Sequence, residues 1–385
     1  MPARNQIIII YSAIVAFAIL YEHQPLLPLL AEQWGRSLSD MALLTTVTML
    51  PLALAPMFYG FVLERFSSRH MLLGGFTLLL ITQAMLSTAP DYYWFLTLRA
   101  LEGMLLPAIF TALMTYTSSL GGQRNARRNI GFYIAATIVG GYLGRTVTGL
   151  VTDLAGWSAA FWMWSAAALI AVISLTRLDS DPRGKLVRIS WTEIRYLIAK
   201  PVNRLGLASA FLLFFVSASM MNFLPFRMFE INPDMSTGQM AQVYTGYLIG
   251  AVISVFSVRM VSLFGSERKT LLFAAGLYFC GVALCIPASI GLLYVAMFVL
   301  MGGMFSIHSV LSGYLNHLET ERRGMINGLY VSSYYSGGVL GSFFPGLLYQ
   351  AQGWIAYSLL MMTLITLIGI LVWQLPRHKS AAPTT

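Results

Sequence analysis

The sequence predicts an all-α integral membrane protein with twelve transmembrane helices in two pseudo-symmetric six-helix bundles. Hydrophobic residues make up 57% of the 385 positions and charged residues 10%, which is far from the composition of soluble globular chains. Apolar runs of about 20 residues, the length that crosses a hydrocarbon core, recur along the whole chain. A glycine pattern in the first half returns in the second half, which indicates an internal repeat.

The apolar runs, numbered here as spans 1 to 12, are separated by short polar turns and one long break. They begin near Gln6, Met41, Met71, Tyr92, Asn129, Trp157, Arg204, Gln239, Thr270, Ile290, Met325 and Trp354. The long break predicts an N-terminal bundle at 1–177, a basic cytoplasmic linker at 178–203, a C-terminal bundle at 204–375 and a cytoplasmic tail at 376–385. An amphipathic stretch in the linker is typical of a segment on the membrane surface.

Basic residues are distributed unevenly between the loops. Most of the 24 Lys and Arg residues fall on the side of the N-terminus, and basic loops stay in the cytoplasm. We therefore expect a multi-pass protein of the bacterial inner membrane with both termini cytoplasmic. The first apolar run is too long for a signal peptide and is expected to be retained. This topology explains the net charge of +9 without nucleic-acid binding.

Residues 138–150 carry four glycines and one arginine in an apolar segment. The positions shared with the second half are Gly140, Gly141, Gly144 and Gly149, which recur as Gly337, Gly338, Gly341 and Gly346. Small residues let membrane helices approach closely, so we expect spans 5 and 11 to pack through these glycines against spans 8 and 2 and to act in gating. Arg145 becomes Ser342 in the second copy, which makes it a candidate for function rather than scaffold.

Four ionisable residues fall inside the apolar runs: Glu22, Arg99, Glu102 and Arg145. Such groups are costly in hydrocarbon and face a cavity or a partner. Glu22 and Arg99 lie at similar distances from the outer ends of spans 1 and 4, while Arg99 and Glu102 share one helix face. We predict that Glu22 or Glu102, beside Arg99, carries a coupling proton. A permanent structural pair between Arg99 and Glu102 is the alternative.

Polar and aromatic side chains within the spans are candidates for lining a substrate cavity. This set comprises Arg145, Arg99, Tyr21, Gln24, Asn222, Tyr244, His308, Tyr330 and Tyr334. Arg145 either binds an anionic substrate group or pairs with Glu22 or Glu102. For His308 and Asn222, a satisfied interhelical hydrogen bond is the competing interpretation.

The sequence has no P-loop and no histidine or cysteine cluster with metal-ligand spacing. No cofactor and no metal are therefore predicted. Neither an enzyme nor a transporter driven by ATP through this chain alone is expected.

Two six-span repeats joined by a basic loop resemble the major facilitator superfamily. The loop after span 2, residues 60–70, is similar to the family motif G-x-L-x-D-R-x-G-R-R/K, with departures at Glu64, Ser67 and Ser68. The resemblance implies a gating role for this loop and for the glycines of spans 5 and 11. The loop residues concerned are Gly60, Glu64, Arg65 and Arg69.

Two further motifs extend the resemblance. Residues 99–103 are similar to the family's R-x-x-Q-G, with Glu102 in place of the amide. Residues 140–145 are similar to the span 5 motif of exporters, in a variant where Gly-Gly-x-x-Gly-Arg replaces a Gly-Pro pair. Tyr21, Gln24, Pro25 and Pro28 also fit the exporter branch.

The resemblance implies a secondary active transporter that works by alternating access. The exporter-like motifs imply proton-coupled export, by antiport, of a small amphipathic organic compound such as a drug or a secreted metabolite, for example a siderophore. The alternatives are proton-coupled uptake of an organic anion and, in a different class, a membrane receptor or channel. The expected partners are the small-molecule substrate, protons and the lipid bilayer, and the expected state is a monomer.

Overall fold

The computed structural model describes residues 2–120, 122–179 and 191–376, and helices make up nearly all of this part. The first half contains, in order, α1 (Pro2–Tyr21), a 3-10 helix (Gln24–Leu26), α2 (Leu27–Trp34), α3 (Leu38–Arg65), α4 (Ser68–Leu86), α5 (Tyr92–Ser119) and α6 (Gly122–Leu175). Span 1 is formed by α1 and α2 together, because the 3-10 helix interrupts it near its outer end.

The second half begins with a short linker helix. It contains α7 (Trp191–Ala199), α8 (Pro201–Ile231), α9 (Thr237–Ala241), a 3-10 helix (Gln242–Leu248), α10 (Ile249–Phe264), α11 (Glu267–Leu284), α12 (Ile290–Leu318), a 3-10 helix (Thr320–Arg322) and α13 (Arg323–Trp373). Span 8 is interrupted in the same manner as span 1, since α9 and α10 are separated by a 3-10 helix.

Two glycines make the tightest turns between spans. Spans 5 and 6 lie within α6 and meet at Gly156, whose φ is 83°. Spans 11 and 12 lie within α13 and meet at the repeat equivalent, Gly353, whose φ is 78°. Glycine adopts this left-handed region without steric cost, so the chain reverses there without a polar loop.

The helices account for the twelve predicted spans. In the described residues, eight helical stretches are long and apolar enough to cross a membrane, and two of these are the two-span stretches within α6 and α13. The remaining two spans are the interrupted α9 and α10 and the more highly charged α11. The predicted all-α fold with two six-span repeats is therefore confirmed.

Contacts between the repeated glycines and their neighbours follow the internal repeat. A Cβ at Gly144 would collide with the backbone of Ala18 in α1, and a Cβ at Gly341 would collide with the backbone of Phe215 in α8. Ala18 and Phe215 are themselves separated by the same number of residues as the two glycines. The same close approach occurs in both halves of the sequence.

These contacts correct one prediction. The glycines at positions 140 and 144 pack against span 1, and those at 337, 338 and 341 pack against span 7, whereas we expected spans 8 and 2. A bare helix face predicts that another helix comes close but does not say which one. Gly149 does approach span 8, because a Cβ there would lie 2.9 Å from the carbonyl oxygen of Thr237.

The contacts divide the chain into two compact units. The first is Met1–Arg188 with Leu224–Tyr244, and the second is Ile189–Phe223 with Thr245–Thr385. The end of α8 and the whole of α9 thus belong to the first unit, although they follow the linker in sequence. The division into bundles at 1–177 and 204–375 remains a sequence-based prediction.

The linker helix α7 is held in the second unit by apolar and ionic contacts. Ile194 and Leu197 are buried in one cluster with Met325. At the end of α7, Lys200 Nζ donates to Glu319 Oε1 at 2.7 Å. An amphipathic helix is stabilised by such burial of its apolar face.

Candidate functional site

Span 1 is interrupted at a run of polar residues. α1 ends at Tyr21, Glu22 and His23 form a turn, and the 3-10 helix begins at Gln24. Pro25 lies in the first turn of this 3-10 helix, and it has no N–H to continue the hydrogen-bond ladder of α1. The last carbonyls of α1 therefore need donors from elsewhere. Discontinuous helices of this kind commonly hold the binding sites of transporters.

Arg99 of α5 supplies those donors. Its Nη1 donates to the carbonyl of Ile19 at 3.1 Å, and its Nη2 donates to the carbonyl of Leu20 at 2.9 Å. Nη1 also donates to Glu102 Oε2 at 2.6 Å and lies 3.5 Å from Glu22 Oε1. All three charged side chains are 0% exposed. The predicted proximity of Glu22, Arg99 and Glu102 is confirmed, and their role in proton coupling stays a prediction.

Gln83 of α4 bridges the two carboxylates. Its Nε2 donates to Glu22 Oε1 at 2.5 Å and to Glu102 Oε1 at 2.8 Å. Thr82 Oγ1 donates to the same oxygen of Glu102 at 3.2 Å. Gln83 is not among the residues predicted from the sequence, although an amide in the apolar run of α4 is a signal of interhelical hydrogen bonding. One amide group serves both carboxylates, so a change at one of them alters the bonding of the other.

The imidazole of His23 completes the network in a defined tautomer. Arg99 Nη2 lies 2.9 Å from His23 Nδ1, and a guanidinium can only donate. Nδ1 is therefore the acceptor, and Nε2 carries the proton and donates to Thr45 Oγ1 at 2.8 Å. His23 is 0% exposed and neutral in this arrangement. The network thus contains one guanidinium, two carboxyl groups and a neutral imidazole.

The hydrogen bonds of Glu22 and Glu102 are unequal. Both oxygens of Glu102 accept hydrogen bonds, one from Arg99 and the other from Gln83 and Thr82. Glu22 Oε2 has no hydrogen-bond partner among the described residues. A buried ionised oxygen without a donor is unfavourable, whereas a protonated one is neutral. The arrangement can therefore hold a proton at Glu22 more readily than at Glu102.

Arg145 is held by span 1 and by the start of span 8, within the first unit. Its Nε donates to Gln24 Oε1 at 2.6 Å, and its Nη1 donates to the carbonyl of Gly141 at 2.7 Å. Its Cζ lies 4.1 Å from the ring centroid of Tyr21 and 5.1 Å from that of Tyr244. The structure brings together four of the predicted substrate residues: Tyr21, Gln24, Arg145 and Tyr244.

A second group of predicted residues lies together in the second unit. Tyr330 Oη and His308 Nδ1 are 3.0 Å apart, and the rings of His308 and Tyr334 have centroids 4.8 Å apart. Phe214 stacks on Tyr334 at 4.0 Å between centroids, with an interplanar angle of 6°. Phe214 is not among the predicted residues, because a phenylalanine in an apolar span carries no distinguishing signal. The rings of Phe214 and Tyr334 are thus parallel, whereas the imidazole of His308 is tilted by 53° to the ring of Tyr334.

Asn222 has a structural contact. Its Nδ2 donates to the carbonyl of Ser342 at 3.1 Å, and its side chain is fully buried. Ser342 is the repeat equivalent of Arg145. The bond joins span 7 to span 11. In the first repeat, the equivalent spans 1 and 5 are joined by the hydrogen bond between Gln24 and Arg145. The hydrogen bond that we weighed as the competing interpretation is therefore present.

The predicted gating loop is described only in part. Gly60 lies in α3 together with Glu64 and Arg65, and the side chains of Glu64 and Arg65 lie outside the described part of the chain. Arg69 Nη2 donates to the carbonyl of Thr176 at 2.5 Å, which joins the start of α4 to the end of span 6. A gating role for these residues stays a prediction.

Asp153 of span 5 accepts hydrogen bonds from the start of α9, a contact that the sequence does not predict. Its carboxylate accepts from the backbone N–H of Gly238 at 3.0 Å and from Ser236 Oγ at 2.6 Å. Ser236 is the N-cap of α9, so a carboxylate of span 5 lies at the start of span 8. These residues all belong to the first unit. The hydrogen bonds join residues that precede the linker in sequence to residues that follow it. They lie beside the close approach of Gly149 to Thr237 and Gly238.

The sequence matches the Major Facilitator Superfamily over residues 9–315 and 230–385. The chain belongs to the Major Facilitator Superfamily. Its relatives include the inner membrane transport protein YnfM of Escherichia coli, which is 23% identical over 93% of this chain and 88% of the relative. The quinolone resistance protein NorA of Staphylococcus aureus is 20% identical over 93% of this chain and 92% of the relative.

Solved structures agree with this family at the level of the fold. The nucleoside transporter NupG aligns with a TM-score of 0.83 at 12% identity, over 96% of this chain and 99% of the other. A bacterial homologue of the lysosomal transporter Spinster aligns with a TM-score of 0.74 at 12% identity, over 97% and 95%. The chain is therefore a multi-pass membrane transporter of the major facilitator type.

Proposed function

We propose that this transporter exports a small amphipathic organic compound from bacterial cells across the inner membrane, by antiport with protons and by alternating access. The observation that carries the proposal is the buried network in which Arg99 is shared by Glu22 and Glu102. A buried charge without a full counter-charge costs several kcal/mol, so a carboxyl group there binds and releases a proton as its surroundings change.

Glu22 is the proton-carrying group in this proposal, and the charges of Arg99 and Glu102 set how readily it binds a proton. The carboxylate of Glu102 lies 2.6 Å from Arg99 and that of Glu22 lies 3.5 Å away, so Glu102 is the better paired. One guanidinium balances one carboxylate. Protonation of Glu22 removes the second negative charge. When the proton leaves, the carboxylates of Glu22 and Glu102 again compete for hydrogen bonds from Arg99 and Gln83.

The interruption of span 1 supplies the link to substrate. Glu22 and Gln24 lie two residues apart in the same turn, and Gln24 accepts from Arg145 at 2.6 Å. A substrate group that takes the place of Gln24 on Arg145 frees one end of this turn. Because Glu22 is fixed to the same turn, substrate binding changes its contacts with Arg99. Proton release and substrate binding are thereby coupled through span 1.

The substrate class follows from the cluster around Arg145 in the first unit. Arg145 favours a polar or anionic group, since a guanidinium forms strong hydrogen bonds with oxyanions. The rings of Tyr21 and Tyr244, which lie near its guanidinium, favour an apolar or aromatic part. Such a compound, a drug or a secreted metabolite, fits export, and the name of one relative, a quinolone resistance protein, is consistent with that direction.

Substrate-driven proton movement in liposomes containing the purified protein tests the proposal. Glu22→Gln removes the titratable group but keeps its size, so we expect substrate exchange without proton movement. Glu102→Gln should shift the pH at which transport is fastest while keeping the coupling. Glu32→Gln is the matched control, because Glu32 is an exposed carboxylate of the same span. Unchanged coupling in Glu22→Gln would remove Glu22 from the mechanism, and an unchanged pH dependence in Glu102→Gln would remove Glu102.

Proton-coupled uptake of an organic anion is the second candidate, because the buried guanidinium of Arg145 would bind an anionic group in either direction of transport. Deletion of the gene distinguishes the directions: accumulation of a metabolite inside the cells supports export, and loss of entry supports uptake. A channel or a receptor would show no proton-coupled flux after a pH jump.

A further inference from the structure

An open groove runs between α11 and the end of α13 in the second unit. Its volume is about 420 Å³, and its walls are apolar. The lining residues of α11 lie at positions 272, 275, 276 and 279, and those of α13 lie at 365, 366, 369, 370 and 373. Each set recurs every three or four residues, so each forms one face of its helix. At 1.5 Å per residue, the groove is roughly 10–12 Å long.

The groove exists because glycines occupy two of its lining positions, Gly276 and Gly369. A Cβ placed on Gly276 or on Gly369 would meet no atom within 4 Å, so both glycines face open space. They differ in this from Gly144 and Gly341 of spans 5 and 11, at which a Cβ would collide with a neighbouring helix. The groove is therefore not a seam between packed helices. Its shape suits a narrow, flexible apolar chain.

A basic group lies at one end of the groove. The Cζ of Arg268 lies 3.9 Å from the ring centroid of Trp373, and Trp373 is itself a lining residue. Lys269 follows and is exposed, while Glu267 precedes and contributes one negative charge. This end is the one expected at the cytoplasmic face from the distribution of basic residues.

We propose that this groove is a binding site for an anionic phospholipid, with one acyl chain between α11 and α13 and the headgroup phosphate at Arg268 and Lys269. Basic pockets between transmembrane helices on the cytoplasmic side are typical sites for acidic lipid headgroups. The ring of Trp373 holds the guanidinium of Arg268 at the end of the groove. The charge selects the headgroup, and the apolar walls hold the chain.

Native mass spectrometry of the full-length protein, titrated with phosphatidylglycerol or phosphatidylcholine in detergent, tests the proposal. We expect the wild-type protein to retain phosphatidylglycerol preferentially. Arg268→Gln should reduce this preference by about five-fold, as expected for one basic residue near a lipid headgroup. Arg259→Gln is the matched control, since Arg259 also lies over an aromatic ring, that of Phe256, and neither residue lines the groove.

The groove is tested separately by filling it. Gly369→Leu and Gly276→Leu place a side chain in open space, so both proteins should fold and lose retention of both lipids. Gly74→Leu is the control, because Gly74 also faces open space but lies on α4 in the first unit. Wild-type lipid retention in the filled variants would overturn the proposal. So would equal retention of the two lipids by the wild type, or a change from dimer to monomer on filling, which would make a second copy of this chain the occupant.

Discussion

Arg99 and Glu102 form an ion pair with 2.6 Å between Nη1 and Oε2, and neither side chain is exposed. The guanidinium also holds two carbonyls at the end of α1 and the imidazole of His23. Arg99 therefore has two functions: it supports the interruption of span 1, and it supplies the charge for which the two carboxylates compete. Its planar fork of donors makes both possible at once.

Replacement of Arg99 by lysine should separate charge from geometry. Arg99→Lys keeps the positive charge, but a single ammonium cannot reach all of these acceptors. We expect a loss of about 1–3 kcal/mol in the free energy of unfolding, the cost of leaving buried polar groups unsatisfied, together with loss of transport. Thermal unfolding in detergent and liposome transport measure the two effects. Arg36→Lys, outside this network, is the control, and wild-type stability of Arg99→Lys would contradict the argument.

Sequence spacing predicted part of this network and missed the rest for a physical reason. Arg99 and Glu102 share a helix face at i, i+3, so their pairing follows from one helix alone. The position of Gln83 between two carboxylates depends on how closely three helices approach one another, which no local pattern specifies. The same limit explains the wrong partners predicted for the glycines: the bare faces of Gly144 and Gly341 were recognised, but not the neighbours Ala18 and Phe215.

Gly144 should be far more sensitive to a methyl group than another glycine of the same helix. In Gly144→Ala the new Cβ meets the backbone of Ala18, so α1 and α6 must separate. We expect a loss of about 1–3 kcal/mol, the usual cost of overpacking. Gly131→Ala is the control, because its Cβ would meet no atom within 4 Å, and it should match or exceed the wild-type thermal stability. Equal stability of the two variants would contradict the close approach.

The contact of Asp153 with the start of α9 should affect transport as well as stability. Asp153→Asn weakens a charge-assisted cap and should cost about 1 kcal/mol. Asp91→Asn is the matched control, because Asp91 Oδ1 accepts from the N–H of Trp94 in its own helix. We expect similar losses in thermal unfolding but a change in transport rate only for Asp153→Asn, since its bond joins spans 5 and 8. Equal transport by both variants would show that this bond is only a cap.

Acid should weaken the attachment of the linker helix α7, because protonation of Glu319 removes its ion pair with Lys200. Burial acts to raise the pKa of Glu319, but hydrogen bonds from Lys200 and Asn203 and the nearby positive charges outweigh it and lower that pKa below its ordinary value. Because the folded-state pKa is depressed, the stabilisation is present above the unfolded-state pKa and is lost as pH falls through the folded-state pKa. Thermal unfolding at pH values from 7 to about 3 measures this loss.

Glu319→Gln supplies the comparison for that series. It should unfold at a lower temperature than the wild type at neutral pH, and the difference should disappear in acid. Glu321→Gln is the neighbouring control, because the side chain of Glu321 is 88% exposed. A difference between wild type and Glu319→Gln that persists at low pH would show that the carboxylate charge is not the cause.

Replacement of Arg145 should show whether this residue binds substrate or only supports span 1. If it binds an anionic substrate group, Arg145→Ala should reduce transport of the anion about ten-fold or more, since hydrogen bonds to charged groups contribute about 1.5–3 kcal/mol. A neutral ester of the same compound should be affected much less. Liposome transport of the acid, a compound identified from the gene-deletion comparison, and of its ester measures the ratio of the two losses.

Gln24→Ala is the control, because it removes the partner of Arg145 but leaves the charge, and it should not discriminate between acid and ester. An equal loss for both compounds in Arg145→Ala would assign Arg145 to the support of span 1, because its bonds to Gln24 and to the carbonyl of Gly141 would then be its whole contribution.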